Sequence, residues 1–121
     1  MTFVDVVILL QAESLFKGDA SDTLIDHAYA ADLLSDVLAL TEERTTLITG
    51  TISPQVIRVA EILNVIGIIF VRGKRPSQEI IDYAQRLDIP MLTTRKTMFE
   101  ACGLLYAHSV RPCKNRSALD D

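Results

Sequence analysis

The chain has 121 residues, of which 49% are hydrophobic and 23% charged, the size and make-up of one folded domain and not of a disordered segment. Aromatic residues amount to 6% and tryptophan is absent, which argues against a base-stacking platform for single-stranded nucleic acid and leaves Leu, Ile, Val and Ala to form the core. The net charge of −4 gives no global attraction to nucleic acid or to an anionic membrane.

In chain order, Phe3, Val6, Val7 and Leu10 recur at helical spacing and predict a short amphipathic helix over 2–11. Lys17-Gly18-Asp19 closes this unit as a turn. Leu24 to Ala31 suits a strand, and Asp32 to Ser35 leads into a short helical stretch from Val37 to Leu40. From Thr45 onward an apolar strand, a polar turn and an amphipathic helix recur three times. Leu47-Ile48, Ile68 to Val71 and Met91-Leu92 mark the strands; Ser53 to Leu63, Ser77 to Leu87 and Thr97 to Tyr106 mark the helices. Pro54 and Pro76 fall at or just before helix starts, where proline is tolerated, and Ser53 and Ser77 are candidate N-caps.

Repeated strand–helix units with short connections predict an α/β fold, with a mainly parallel sheet covered by helices in three layers. The pattern fails after Val110, so 1–110 reads as a single domain and the polar segment 111–121 as a flexible C-terminal tail. No apolar run approaches the roughly 18 residues of a membrane span, and the N-terminus lacks the basic region of an export signal. Cys102 and Cys113 form neither a disulfide framework nor a metal-ligand spacing. A cytoplasmic protein with reduced thiols, no membrane association, no metal and no cofactor is expected.

Charge is unevenly divided. Met1 to Glu43 holds nine acids against Lys17, a balance of −8, whereas from Arg44 onward eleven bases face seven acids, a balance of +4. Five of those bases fall in two predicted turns. Phosphate-binding glycine loops, the Gly-x-Ser-x-Gly elbow and the His-Glu-x-x-His zinc motif are all missing. His27 and His108 read as structural or solvated, and Cys102 as a small packed residue. A small enzyme using Asp32 and Asp36, or Cys102, is the remaining catalytic alternative, and neither a substrate nor a positioned base can be named for it.

In a parallel sheet the strand-to-helix turns emerge at one edge, where ligands of such folds bind. The first clear turn offers Thr49, Gly50, Thr51 and Ser53; the second Arg72, Gly73, Lys74 and Arg75; the third Thr93, Thr94, Arg95, Lys96 and Thr97. An earlier turn adds Asp32, Ser35 and Asp36. Hydroxyls, helix N-termini and five basic side chains on one rim are the chemistry that holds phosphate or carboxylate. The same residue types are also ordinary in solvated loops.

Thr49-Gly50, Pro54, the helix containing Ala60, the stretch Asp88-Ile89-Pro90-Met91-Leu92, and Thr97 resemble the DRTGG domain family over residues 22–107. Residues 31–39, 70–76 and 98–103 are more similar still to small stand-alone members encoded with iron-only hydrogenase genes in anaerobic bacteria. The resemblance implies a fold like the N-terminal domain of HPr kinase/phosphorylase, without that enzyme's phosphate-binding loop, and a non-catalytic regulatory or sensing role. It also implies a homodimer, which the modest core of a chain this size favours as well; the last helix (Met98, Phe99, Leu104, Leu105, Tyr106), apolar on more than one face, is the candidate interface. The expected ligand is a small anionic metabolite or nucleotide at the turn rim. The alternative is a ligand-free interaction or assembly subunit that acts on a protein partner through its dimer and its acidic N-terminal surface.

Overall fold

The computed structural model describes residues 1–18, 23–39 and 43–113. Helix α1 (Phe3–Leu10) opens the chain. Its start is set by a capping box: the Thr2 hydroxyl accepts the Asp5 N–H at 3.3 Å and the Asp5 carboxylate accepts the Thr2 N–H at 2.9 Å. The helix stops at Gln11, which takes a left-handed conformation with φ of 51°. Strands β1 (Glu13–Ser14) and β2 (His27–Ala30), helix α2 (Leu34–Val37), strand β3 (Thr46–Thr49), helix α3 (Pro54–Ile62), strand β4 (Gly67–Phe70), helix α4 (Gln78–Arg86), strand β5 (Met91–Thr93), helix α5 (Met98–Ala107) and strand β6 (Arg111–Pro112) follow.

The strands form one sheet in the order β1-β5-β4-β3-β2-β6, parallel throughout except for β1 against β5. From β2 to β5 the chain steps across the sheet in one direction. Right-handed crossovers therefore put α2, α3 and α4 on a single face. The connection from β5 to β6 runs back over the sheet, and the same handedness places α5 on the opposite face, beside α1.

Side-chain alternation along the strands supplies both layers. Leu47, Ile68, Phe70 and Met91 pack with Val37, Val56, Ile57, Ala60, Ile81 and Ala84. Ile48, Ile69 and Leu92 pack with Phe3, Val6, Leu10, Ala101 and Leu105 on the other side. Gly67 lets α1 approach the sheet closely: a Cβ there would stand 2.0 Å from Cζ of Phe3.

The predicted helices and central strands are present with boundaries shifted by a few residues. Ser77 caps α4, its hydroxyl accepting the Ile80 N–H at 3.3 Å, whereas Ser53 occupies the N-cap position of α3 without a side-chain capping bond. Two edge strands depart from the sequence reading. β1 has only two exposed residues and no alternation to mark it. The segment from 111 was read as a tail, yet Arg111 and Pro112 pair with His27 and Ala28, and Cys113 is 7% exposed in the core with its thiol 3.1 Å from the Thr45 hydroxyl. Proline suits this edge position because its missing N–H is not needed there. Leu40, Asp19 and the remainder of the predicted tail, 114–121, lie outside the described residues.

Candidate functional site

The four turns converge on the carboxyl edge of the sheet but divide into two structures. The first is a knot around Asp32, just past β2. Its carboxylate accepts the Gly50 N–H at 2.7 Å and the Thr49 hydroxyl at 3.4 Å, and stands 3.5 Å from the Arg72 guanidinium. The Thr51 hydroxyl donates to the Asp32 carbonyl at 2.7 Å, and the Thr51 N–H donates to the Thr49 hydroxyl at 3.1 Å. Arg72 is thus drawn over the first turn by a carboxylate of the chain itself. Ser35 and Asp36 lie exposed on α2, and Ser53 lies half-buried at the start of α3; none of them lines the cleft described next.

The second structure is a cleft of about 560 Å³ between the second and third turns. Gly73 and Arg75 form one side; Thr93, Thr94, Arg95 and Lys96 form the other; Glu100 on the first turn of α5 and Gln11 to Glu13 complete the wall. Its position follows from the topology. The helix after β4 leaves to one face of the sheet and the helix after β5 to the other, so the adjacent turns splay apart, which is where open α/β sheets form their binding crevices.

Backbone bonds brace the two turns: the Arg72 N–H donates to the Lys96 carbonyl and the Gly73 N–H to the Thr94 carbonyl, each at 2.8 Å. Both donors have positive φ, 61° for Arg72 and 69° for Gly73. Thr93 and Thr94, two of the expected ligand hydroxyls, serve the scaffold. Thr93 donates to the Lys74 carbonyl at 2.7 Å, and Thr94, 3% exposed, donates to the Leu10 carbonyl at 2.8 Å while accepting the Lys96 N–H at 3.2 Å. Thr97 is likewise engaged, as the N-cap of α5: its hydroxyl accepts the Glu100 N–H at 3.1 Å, and Glu100 accepts both the Thr97 N–H and its hydroxyl at 3.0 Å.

The charges of the cleft are mixed. Arg75 forms an ion pair with Glu13. Arg95 and Lys96 form no ion pair among the described residues, and the same holds for Lys74, which stands outside the cleft. The hydrogen bond from the Thr97 backbone, followed by that from its hydroxyl, holds the Glu100 carboxyl below the usual glutamate range, so it is ionised at neutral pH. The acidic first third and the basic turns therefore meet in space: Asp32 engages Arg72 and Glu13 engages Arg75.

Glu13 and Glu100 were absent from the sequence-derived rim. Nothing local marks Glu13, because a two-residue strand has no readable period. Glu100 had a signal, since Thr-x-x-Glu before an apolar run is a capping-box signature. The candidate catalytic groups are dispersed. Burial pushes the half-buried Cys102 thiol up, away from the thiolate a nucleophile requires. His108 Nδ1 lies 2.8 Å from the Leu104 carbonyl and His27 Nε2 lies 3.1 Å from the Glu43 carbonyl. Among the described residues no three His, Cys, Asp or Glu side chains group closely enough to hold a metal, and no helix is long and apolar enough to cross a membrane.

Comparison with solved structures finds similarity to the crystal structure of the CBS and DRTGG domains of the regulatory region of Clostridium perfringens pyrophosphatase, complexed with its activator diadenosine tetraphosphate. The TM-score is 0.75 at 20% identity, covering 95% of this chain and 51% of that one. The chain thus spans about half the length of that regulatory region, which carries CBS domains besides. No curated protein matches the sequence. The family description "DRTGG domain" matches residues 5–107, well over half of the chain, and the protein belongs to the DRTGG domain family.

Proposed function

We propose that this DRTGG domain is a non-catalytic regulatory module that binds a small anionic metabolite or nucleotide between its β4–α4 and β5–α5 turns. The observation that carries this reading is the cleft at the point where α4 and α5 leave the sheet to opposite faces, with Arg95 and Lys96 on its wall and without ion-pair partners among the described residues. Its volume of about 560 Å³ lies within the roughly 300–1,000 Å³ of small-molecule sites. The nucleotide activator of the C. perfringens regulatory region supports a ligand-responsive role for the family.

The other expected ligand residues divide accordingly. Arg75, Gly73, Thr93 and Thr94 belong to the cleft; Asp32, Thr49, Gly50, Thr51 and Arg72 form a brace beside it. A thermal-shift screen of phosphates, carboxylates and nucleotides should find a stabilising anion, with stabilisation lost in the Arg95→Ala/Lys96→Ala double variant and retained in Arg72→Ala. Loss in Arg72→Ala with retention in the double variant would move the site to the Asp32 knot.

A second reading, an assembly subunit acting as a homodimer, is favoured by the outer face of α5. Phe99 is 89% and Tyr106 70% exposed, Gly103 faces open space, and an apolar groove of about 170 Å³ runs between α5 and strands β2 and β6. Sedimentation equilibrium at micromolar concentration should then give a dimer that Phe99→Glu dissociates; a monomer throughout would remove this reading.

A further inference from the structure

Resting on the anion-binding reading above, we propose that the cleft takes two linked phosphates, one on Arg95 and Lys96 and the other on Arg75, in the place that the Glu13 carboxylate holds in the free chain. The cations stand on opposite walls, Arg75 on the β4–α4 turn and Arg95 and Lys96 on the β5–α5 turn. One wall already grips an oxyanion, because Arg75 is paired with Glu13, itself part of the lining. Arg95 and Lys96 have no ion-pair partner among the described residues. Glu13 is thus a stand-in that marks where a second anionic group belongs, across the cleft from the place for the first.

Charge and exposure both favour more than one phosphate. Three bases of the lining outnumber its two carboxylates, Glu13 and Glu100, and Lys74, on the same turn as Arg75, adds a base without an ion-pair partner among the described residues. The local field therefore attracts polyanions. Arg95 is exposed, Lys96 is half-buried, and Arg75 and Glu13 are each more than half exposed, so any one contact with phosphate is screened and weak. A single phosphate reaches one wall and gains one such contact. Two linked phosphates reach both, and the second contact forms at the high effective concentration of a tethered group. The same exposure lets Glu13 be displaced, since an exposed ion pair holds its carboxylate loosely and a phosphate offers a guanidinium more charge with the same bidentate fit. The volume of about 560 Å³ leaves room for the pair.

Isothermal titration of the full chain in magnesium-free buffer with inorganic phosphate, inorganic diphosphate and ADP tests the proposal. Diphosphate or ADP should bind at least about tenfold more tightly than phosphate; the tighter of the two names the source, a free diphosphate or a nucleotide. Arg75→Ala should bring that ligand down to the level of phosphate, and Arg95→Ala/Lys96→Ala should weaken all three. Glu13→Gln should tighten diphosphate about two- to fivefold, the range of an exposed ion pair, and change phosphate less. Arg75→Gln and thermal unfolding of every variant separate loss of a contact from loss of the fold. A preference for diphosphate that survives in Arg75→Ala, or an unchanged affinity in Glu13→Gln, would overturn the proposal. Phosphate bound as tightly as diphosphate and ADP, and lost in Arg95→Ala/Lys96→Ala, would overturn it and leave the anion site standing. Failure of all three probes to bind would also overturn it, and the anion site falls with it when the thermal-shift screen finds no stabilising carboxylate either.

Discussion

The guanidinium of Arg72 lies directly over Gly50: a Cβ on that glycine would stand 2.3 Å from the Arg72 Nη2 atom, the atom that faces the Asp32 carboxylate at 3.5 Å. One glycine therefore makes room for the side chain that joins the first and second turns. The clashing atom is the far end of a flexible side chain, so Gly50→Ala should displace Arg72 and break its exposed ion pair at a cost of no more than about 1 kcal/mol. Arg72 itself sits at φ 61°, where a residue other than glycine bears about 1–2 kcal/mol of strain. Arg72→Gly should leave urea stability unchanged or raise it slightly, because relief of strain offsets the lost pair. Arg72→Val should lower stability by about 1–2 kcal/mol or more. A Gly variant clearly less stable than the unsubstituted chain would show that the ion pair outweighs the strain.

Gly67 presents the opposite case. A Cβ there would stand 2.0 Å from Cζ and 2.9 Å from both Cε atoms of the Phe3 ring, which is buried between α1 and the sheet. The ring cannot swing into solvent without exposing its own apolar surface. Gly67→Ala should therefore destabilise the fold by about 1–3 kcal/mol, the range for overpacking a filled core. Chemical denaturation measures this, and a companion Phe3→Leu change in the Gly67→Ala background should recover part of the loss. Full additivity of the two changes would contradict the contact.

The α5 cap predicts an acid dependence. Glu100 has a carboxyl held below the ordinary value of 4.5 in the folded chain by the Thr97 backbone and hydroxyl. A depressed folded pKa contributes stability that is present above 4.5 and lost as pH falls through the folded value. Glu100→Gln should therefore flatten the acid limb of the stability curve below that pH while preserving most of the cap at neutral pH. Unfolding midpoints recorded from neutral to acidic pH test it, and parallel curves for both proteins would place the acid sensitivity elsewhere. The Asp5 carboxyl, depressed in the same way by the Thr2 backbone and hydroxyl, accounts for part of the remaining slope.

The periodicity of Val56, Ile57 and Ala60, of Ile80, Ile81 and Ala84, and the apolar runs around Ile48, Ile69 and Leu92 were sufficient to place the central helices and strands, because burial against a sheet imposes those periods locally. The same reading located the basic turns, since strand-to-helix connections in a parallel sheet must share one edge. What tertiary structure alone decided was strand order and charge pairing. The reversal after β5 sends α5 to the face opposite α4, opens the cleft between Arg75 and Lys96, and separates it from the Asp32 knot. It also brings β6 back to β2, where a segment that reads as polar tail gains a place in the sheet. Glu13 meets Arg75 across 62 residues of sequence. An ion pair between such distant positions leaves no local trace in composition or period, because it depends on which edge of the sheet β1 occupies.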